Sequence, residues 1–333
     1  MVDVAIVGLG WWGKKLARSM EGSQVIRAIR GVEPAAAATE GFADTCGFPI
    51  SSSFHEALAD TRVKAVILAT PHSMHEQQIA DAAAAGKHVF CEKPLALTRK
   101  GAERSVRLLK KKNLVLGIGH ERRWEPPVAE MLADARSGKL GKLLQLEANW
   151  SHDKFAAMTA DNWRLSGGEA PAGGMTATGI HIFDLATSLF GEAETVLAYS
   201  ASLASSIPNG DSTCALVRYR NGCTAYVSTM MAIPGISRVA VFGSEGWVEV
   251  RDKGHVENAI GWIVIRCVKG GHPEFKEIPP ASPVRANLEA FARAVAGEAP
   301  YPISTTDMVN NIAVMEAVFK SARDGSLQVV PRA

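Results

Sequence analysis

The sequence predicts an α/β, Rossmann-type doubly wound domain followed by an α+β domain with a large, mainly antiparallel sheet. Short β-branched runs alternate with longer helical patterns up to residue 120, the rhythm of βαβ units and a parallel sheet. A glycine-rich turn closes the first of those runs and opens a helical pattern. Beyond residue 120 the alternation gives way to short strands separated by Gly, Asn and Pro turns. The 333 residues suffice for two domains at ~150 residues each, with the boundary drawn between 1–120 and 121–333.

In the first domain the strand candidates are Val4 to Val7, Val25 to Val32, Ala65 to Thr70, His88 to Phe90 and Leu114 to Ile118. Their nearly continuous apolar character suits strands covered by helices on both faces. Helical stretches rich in Ala, Leu, Lys and Glu fall at 12–21, 35–46, 73–86 and 98–112. In the second domain a helix at 127–138 leads to a strand at Leu143 to Trp150, and a further helix covers 175–190. Runs at 195–202, 213–219, 224–231, 238–243, 246–250 and 262–268, parted by turns such as Pro208-Asn209-Gly210 and Asn221-Gly222, read as an antiparallel sheet. Helices at 284–297 and 305–323 close that second domain.

Composition narrows the class. Lys plus Arg is 36 and Asp plus Glu is 34, so a net charge of +2 provides no basic field for nucleic acid or an acidic membrane surface. No segment offers the ~20 uninterrupted apolar residues of a membrane span, and the start of the chain lacks the pattern of an export signal. The five cysteines, Cys46, Cys91, Cys214, Cys223 and Cys267, are scattered without a CxxC pair and read as reduced thiols of a cytoplasmic protein.

Gly8-Leu9-Gly10-Trp11-Trp12-Gly13 is GxGxxG. In this spacing the glycines allow a tight turn, close approach of the backbone to a pyrophosphate, and tight packing of helix on sheet. The helix that follows would aim amide groups and dipole at a diphosphate. An acidic residue is then expected ~20 positions on to accept ribose hydroxyls, and Glu33 lies 20 residues after Gly13. Glu33 favours NAD, since its carboxylate repels a 2′-phosphate, whereas Arg30 nearby is the type of residue that accommodates NADP. The reading leans to NAD with NADP open, and makes residues 1–120 a dinucleotide-binding domain.

Ala69-Thr70-Pro71-His72-Ser73-Met74-His75 follows a strand, and Ala85-Gly86-Lys87-His88-Val89-Phe90-Cys91-Glu92-Lys93-Pro94 follows a helix. With the glycine turn, and with Ala172-Gly173-Gly174-Met175-Thr176-Ala177-Thr178-Gly179-Ile180-His181-Ile182-Phe183-Asp184, these segments resemble the glucose-fructose oxidoreductase/inositol dehydrogenase (Gfo/Idh/MocA) family. The resemblance implies an NAD(P)-dependent oxidoreductase that moves a hydride between a carbinol carbon and the nicotinamide. It places Lys93 near the reacting hydroxyl and the nicotinamide, His181 on the same hydroxyl, and Thr70, Pro71, His72, His75 and Glu92 beside the dinucleotide with Gly8, Gly10, Trp11, Trp12, Gly13 and Glu33. Those roles are chemically sensible, because hydride leaves an alcohol carbon readily only as the hydroxyl proton is removed by a base within hydrogen-bond reach. A lysine serves if its surroundings lower its pKa, and a histidine titrates close to neutrality.

The family pattern often carries an Asp four residues before the helix histidine, where this chain has Ala177. That departure shifts the burden to Lys93 and His181, helped by Thr178, and admits a dihydrodiol or another hydroxylated ring in place of a sugar or polyol. Arg122 and Arg123 are candidates for a substrate carboxylate or phosphate, with an ion pair as the alternative. Trp163 and Arg164, on the long loop before the His181 helix, are candidates to cover a sugar ring or to plug a subunit interface. His72 and His75 lack the further ligands a metal needs, so no metal is expected. A non-catalytic dinucleotide sensor is the rival from another class, and retention of both Lys93 and His181 weighs against it. The resemblance further implies that residues 121–333 bind a small-molecule substrate and assemble a homodimer or homotetramer.

Overall fold

The computed structural model describes residues 1–159, 161–205, 207–254 and 259–332. In chain order, β1 (Val2–Val7), α1 (Trp11–Met20), β2 (Ile26–Val32), β3 (Ile50–Ser51), α2 (Phe54–Ala59), β4 (Ala65–Leu68), α3 (His75–Ala84), β5 (His88–Cys91), α4 (Arg99–Lys111) and β6 (Leu116–Ile118) form the alternating half. Then come α5 (Pro126–Arg136), β7 (Leu143–Ser151), α6 (Ile180–Phe190), β8 (Ala193–Ala201), β9 (Ser212–Tyr219), β10 (Thr224–Met230), β11 (Ile236–Gly243), β12 (Gly246–Asp252), β13 (Trp262–Val268) and β14 (Glu274–Ile278). The chain finishes with α7 (Pro283–Val295), α8 (Thr305–Asp324) and β15 (Gln328–Val329).

The first compact unit comprises Met1–Trp124 and Ser282–Met308. Its sheet is parallel throughout, in the order β3-β2-β1-β4-β5-β6. The strand order reverses between β1 and β4, and ligands of such sheets bind outside the carboxyl ends of the strands at that switch point. Four strands supply continuous apolar cover: Val4, Ile6, Ile26, Ala65, Ile67 and Phe90 pack with Leu9, Leu16 and Met20 on one side. Val284, Leu288, Phe291 and Ala292 of α7 join the same core, and the Phe291 ring meets Phe90 edge-on at 5.6 Å. The Arg285 guanidinium donates to the carbonyl of Ser19 at 2.8 Å, at the end of α1.

That placement of α7 departs from the sequence reading, which put 284–297 in the second domain. Its apolar face shows that the helix is covered, but only the tertiary contacts show by what. The helix expected over 35–46 is also absent: Ala36–Thr39 form one 3₁₀ turn, and the chain then turns at Gly41 and Gly47, both at positive φ. Four alanines raise helix propensity there, yet Pro34 and two left-handed glycines break the run. The reading missed α2, although Ser53 caps it by accepting from the Glu56 N–H at 3.3 Å, a capping-box spacing legible in the sequence.

The second unit comprises Glu125–Ala281 and Val309–Ala333. Its nine-stranded sheet runs β14-β13-β12-β11-β7-β10-β9-β8-β15, antiparallel except where β10 lies parallel to β7. Along β7, Leu146, Ala148 and Trp150 are buried, with Val217, Val227, Val239 and Val250 matching them on neighbouring strands. The alternate residues face out, among them Leu216, Tyr226 and Tyr199. Among the described residues no helix is long and apolar enough to cross a membrane.

Candidate dinucleotide and substrate sites

Each glycine of the first turn has a separate physical reason. Gly8 stands at φ +89°, and a Cβ there would lie 2.7 Å from the Ala69 carbonyl oxygen. At Gly13 a Cβ would lie 1.8 Å from the Gly8 carbonyl oxygen, because α1 packs directly on the turn. Gly10 faces open space, with no atom within 4 Å of where a Cβ would be. The first and third glycines thus close the turn, and the second leaves room above it. Gly10 caps α1 without a side-chain bond, and the first turn of α1 holds no acidic residue of its own to oppose an anion at the helix start. The turn fits a diphosphate.

Glu33 follows β2 and is anchored to that turn. Its Oε2 accepts from the Leu9 N–H at 2.9 Å and its Oε1 from the Ala35 N–H at 3.1 Å. Arg30, the residue that argued for NADP, is drawn elsewhere: its guanidinium pairs with Asp60 at 3.2 Å. Asp60 is also held by Arg62 at 2.7 Å, and the Arg62 bonds keep its carboxyl well below the usual range. Trp11 is exposed, while Trp12 packs on the core with its ring edge-on to Trp11 at 5.1 Å.

The parallel sheet sets the ends of β4 and β5 on the side of the glycine turn. After β4, the Thr70 hydroxyl donates to Gln78 Oε1 at 2.5 Å. His75, expected beside the dinucleotide, lies in the segment that follows β4. Its ring is 0% exposed, with both nitrogens against main-chain carbonyl oxygens, those of Pro94 and Thr70. Pro71 and His72 are half-buried in the same segment. After β5, Lys93 is half-buried and precedes a cis Pro94.

Glu92 is 5% exposed. Burial first, and then the buried Glu121 carboxylate, push its carboxyl up to about 8, against the opposing pull of the Trp12 indole N–H and of Lys93. In the unfolded chain that proton leaves near 4.5. The native state therefore binds it more tightly, and stability falls as pH rises from 4.5 towards 8. Thermal melts across that window should show this decline, and Glu92→Gln should flatten it. An unchanged slope in the variant would exclude Glu92 as the cause.

The remaining candidates of the first unit are Arg122 and Arg123. Arg122 is 1% exposed, among the largest fully buried side chains of the molecule. Arg123 is engaged by Asp307 at 3.2 Å, the ion-pair alternative rather than a waiting anion site.

In the second unit, Met175–Gly179 form a π turn that runs directly into α6. His181, in the first turn of α6, is 2% exposed, and its ring lies 5.4 Å from that of Trp150 on β7. Thr178, expected to touch substrate, lies in that π turn. Its buried hydroxyl lies 3.0 Å from the carbonyls of both Trp150 and Gly174, so it clamps the π turn to β7. Trp163 and Arg164 form a local stack, the guanidinium 4.1 Å from the ring centroid, and burial lowers the Arg164 pKa to about 10. Ala177 packs against a small apolar cluster of Leu165, Ile207 and Met231, edged by Phe155 and Met158.

Comparison with known proteins completes the assignment. Residues 2–120 match the family described as an oxidoreductase family with an NAD-binding Rossmann fold, and residues 128–249 match the GFO/IDH/MocA C-terminal domain. The chain belongs to the Gfo/Idh/MocA oxidoreductase family. Its similar relatives include the rhizopine catabolism protein MocA of Rhizobium meliloti, 26% identical over 94% of this chain and 93% of that protein. The 1,5-anhydro-D-fructose reductase of Ensifer adhaerens is 28% identical over 82% of each. Among solved structures, aldose-aldose oxidoreductase from Caulobacter crescentus, complexed with glycerol, superposes with a TM-score of 0.86 at 23% identity, covering 98% of this chain and 99% of that one.

Several supporting residues of this Gfo/Idh/MocA protein escaped the sequence reading. Asn209, taken only for a turn residue, donates from Nδ2 to the carbonyls of Arg164 and Ala170, pinning the loop that carries Trp163 and Arg164. Tyr301 and Asn287 both donate to the Ile118 carbonyl, bracing the end of β6. Gln78 lies three residues after His75 on one helix face, a spacing that could have flagged it. Asp307 and Tyr301 lie some 180 residues from their partners, and no local pattern announces them.

Proposed function

We propose that the protein transfers a hydride between a nicotinamide dinucleotide and a secondary alcohol or ketone of a sugar, polyol or related hydroxylated ring, with NAD(H) preferred. The observation that carries this is one of topology: a single parallel sheet brings the Gly8–Gly13 turn, Glu33, Thr70 and Lys93 to the carboxyl ends of β1, β2, β4 and β5. The turn would hold the diphosphate and Glu33 the adenosine ribose hydroxyls. When bound, the nicotinamide supplies the hydride acceptor or donor.

Lys93 takes the base role in alcohol oxidation, removing the hydroxyl proton as the carbinol C–H bond weakens, and returns it during reduction. Its half-exposed position leaves it reachable by substrate. His181 is the second hydroxyl-binding group, and its 2% exposure means that the atoms covering it must move aside for contact. Trp163 and Arg164 would flank the substrate ring.

The names of the relatives, a reductase of an anhydro sugar and an aldose-aldose oxidoreductase, support a sugar-like substrate. The apolar cluster around Ala177 favours a second reading, a dihydrodiol or similarly less polar ring, because this position supplies a methyl group among apolar side chains in place of a carboxylate. We further propose a homodimer or homotetramer, supported by the outward apolar residues Leu216, Tyr226 and Tyr199 of the nine-stranded sheet, and a cytoplasmic setting in keeping with five free thiols.

The test is a titration of tryptophan fluorescence with NADH and NADPH, followed by turnover on a panel of sugars, polyols and dihydrodiols. Tighter NADH binding is expected. Glu33→Ala should weaken NADH by ~10- to 100-fold, the worth of hydrogen bonds to a charged group, and erase the discrimination against NADPH. Cofactor binding without turnover on any panel member would favour the sensor over the enzyme.

A further inference from the structure

His75 is the residue whose placement exceeds the role expected of it. Nδ1 lies 2.8 Å from the carbonyl oxygen of Pro94 and Nε2 lies 3.1 Å from that of Thr70. One buried ring therefore joins the segment that follows β4 to the residue that follows Lys93. A neutral imidazole can donate to only one of these oxygens, whereas an imidazolium donates to both. A donor at Nδ1, present in the imidazolium and in the Nδ1–H tautomer, fixes where the main chain runs on the far side of Lys93 through the Pro94 oxygen.

The near side is fixed as well. The Glu92 N–H donates to the Leu68 carbonyl at 2.8 Å, the last rung between β5 and β4. Thr70 is itself held through its hydroxyl on Gln78. With the backbone secured before and after it, Lys93 keeps freedom only in its side chain, and the position of its amine is set from a fixed Cα. A base must come within hydrogen-bond reach of the proton it takes, and a displacement of ~1 Å at a reacting group costs ~10²-fold in rate.

We propose that His75 is a positioning residue for Lys93, acting through the carbonyl oxygens of Pro94 and Thr70 and touching neither cofactor nor substrate. The inference rests on the reading of Lys93 as the base. It explains a histidine at this place better than cofactor contact does, since the ring is sealed by the chain's own atoms.

The experiment compares His75→Ala and His75→Gln with the parent protein in NADH affinity, in kcat at saturating cofactor and substrate, and in the response of the alanine variant to added imidazole. NADH affinity should stay within ~3-fold, while kcat falls by ~10²-fold in His75→Ala and by less in His75→Gln, which keeps a donor. Imidazole, filling the cavity left in His75→Ala, should restore part of the lost kcat. Unchanged kcat, a loss confined to cofactor affinity, or failure of both variants to fold would each overturn the proposal. Lys93→Met is measured alongside. If it retains turnover, the base reading itself fails; if it loses turnover while the His75 variants keep theirs, only the positioning role fails.

Discussion

Replacing Lys93 by methionine is expected to lower kcat by ~10²- to 10⁴-fold, the usual worth of a positioned acid or base, while NADH binding stays near the parent value. Methionine preserves most of the apolar stem and removes the amine, so the change isolates proton transfer from packing. Lys93 is half-buried at the carboxyl end of β5, between two segments whose main chain is pinned, and the rest of the cofactor cradle lies on other strands. Stopped-flow or steady-state turnover on the best panel substrate, paired with a fluorescence titration, separates the two effects. A variant that keeps its rate would remove Lys93 from the chemistry.

The second large effect is expected at the glycine turn, where two substitutions of equal size should behave differently. Gly13→Ala places a Cβ 1.8 Å from the Gly8 carbonyl oxygen, a clash with main chain that no rotamer relieves. The helix must move off the turn, with a stability loss of about 1–3 kcal/mol from overpacking and loss of NADH binding. Gly10→Ala meets open space, so its melting temperature should match the parent. NADH affinity should nevertheless fall by ~10-fold or more, since the added methyl occupies the approach of a diphosphate to the backbone. Melting curves and NADH titrations of both variants check this, and a Gly10→Ala protein of full affinity would mean that the diphosphate lies elsewhere.

Much of the first unit was legible in the sequence because its signals are local. The turn, the helix after it and Glu33 fall within a single βαβ unit, and the structure joins them by the Leu9–Glu33 hydrogen bond. The strands of both sheets were legible from apolar runs and turn residues, except the short β3 and β15 and the exposed β14, which offer too few buried positions to make a pattern. Roles depending on distant partners were not legible. His75 stood out as part of a motif, but which atoms its nitrogens meet depends on Pro94, 19 residues on. Thr178 stood out because a hydroxyl near His181 is chemically suitable, and only the packing against β7 shows that it lies against the carbonyls of Trp150 and Gly174. Arg30 and Arg123 were ambiguous for the same reason, since Asp60 and Asp307 are remote in sequence.

The return of α7 to the first unit has a consequence for how the protein is made. The unit that cradles the dinucleotide is encoded in two pieces, 1–124 and 282–308, separated by the strands of the second sheet. On a ribosome adding ~5–20 residues per second, the six parallel strands emerge roughly ten to thirty seconds before the helix that covers Phe90. In that interval the surface awaiting Leu288 and Phe291 stands open. The nascent first half therefore carries an uncovered apolar face until α7 arrives, and a fragment ending near residue 120 keeps that face bare.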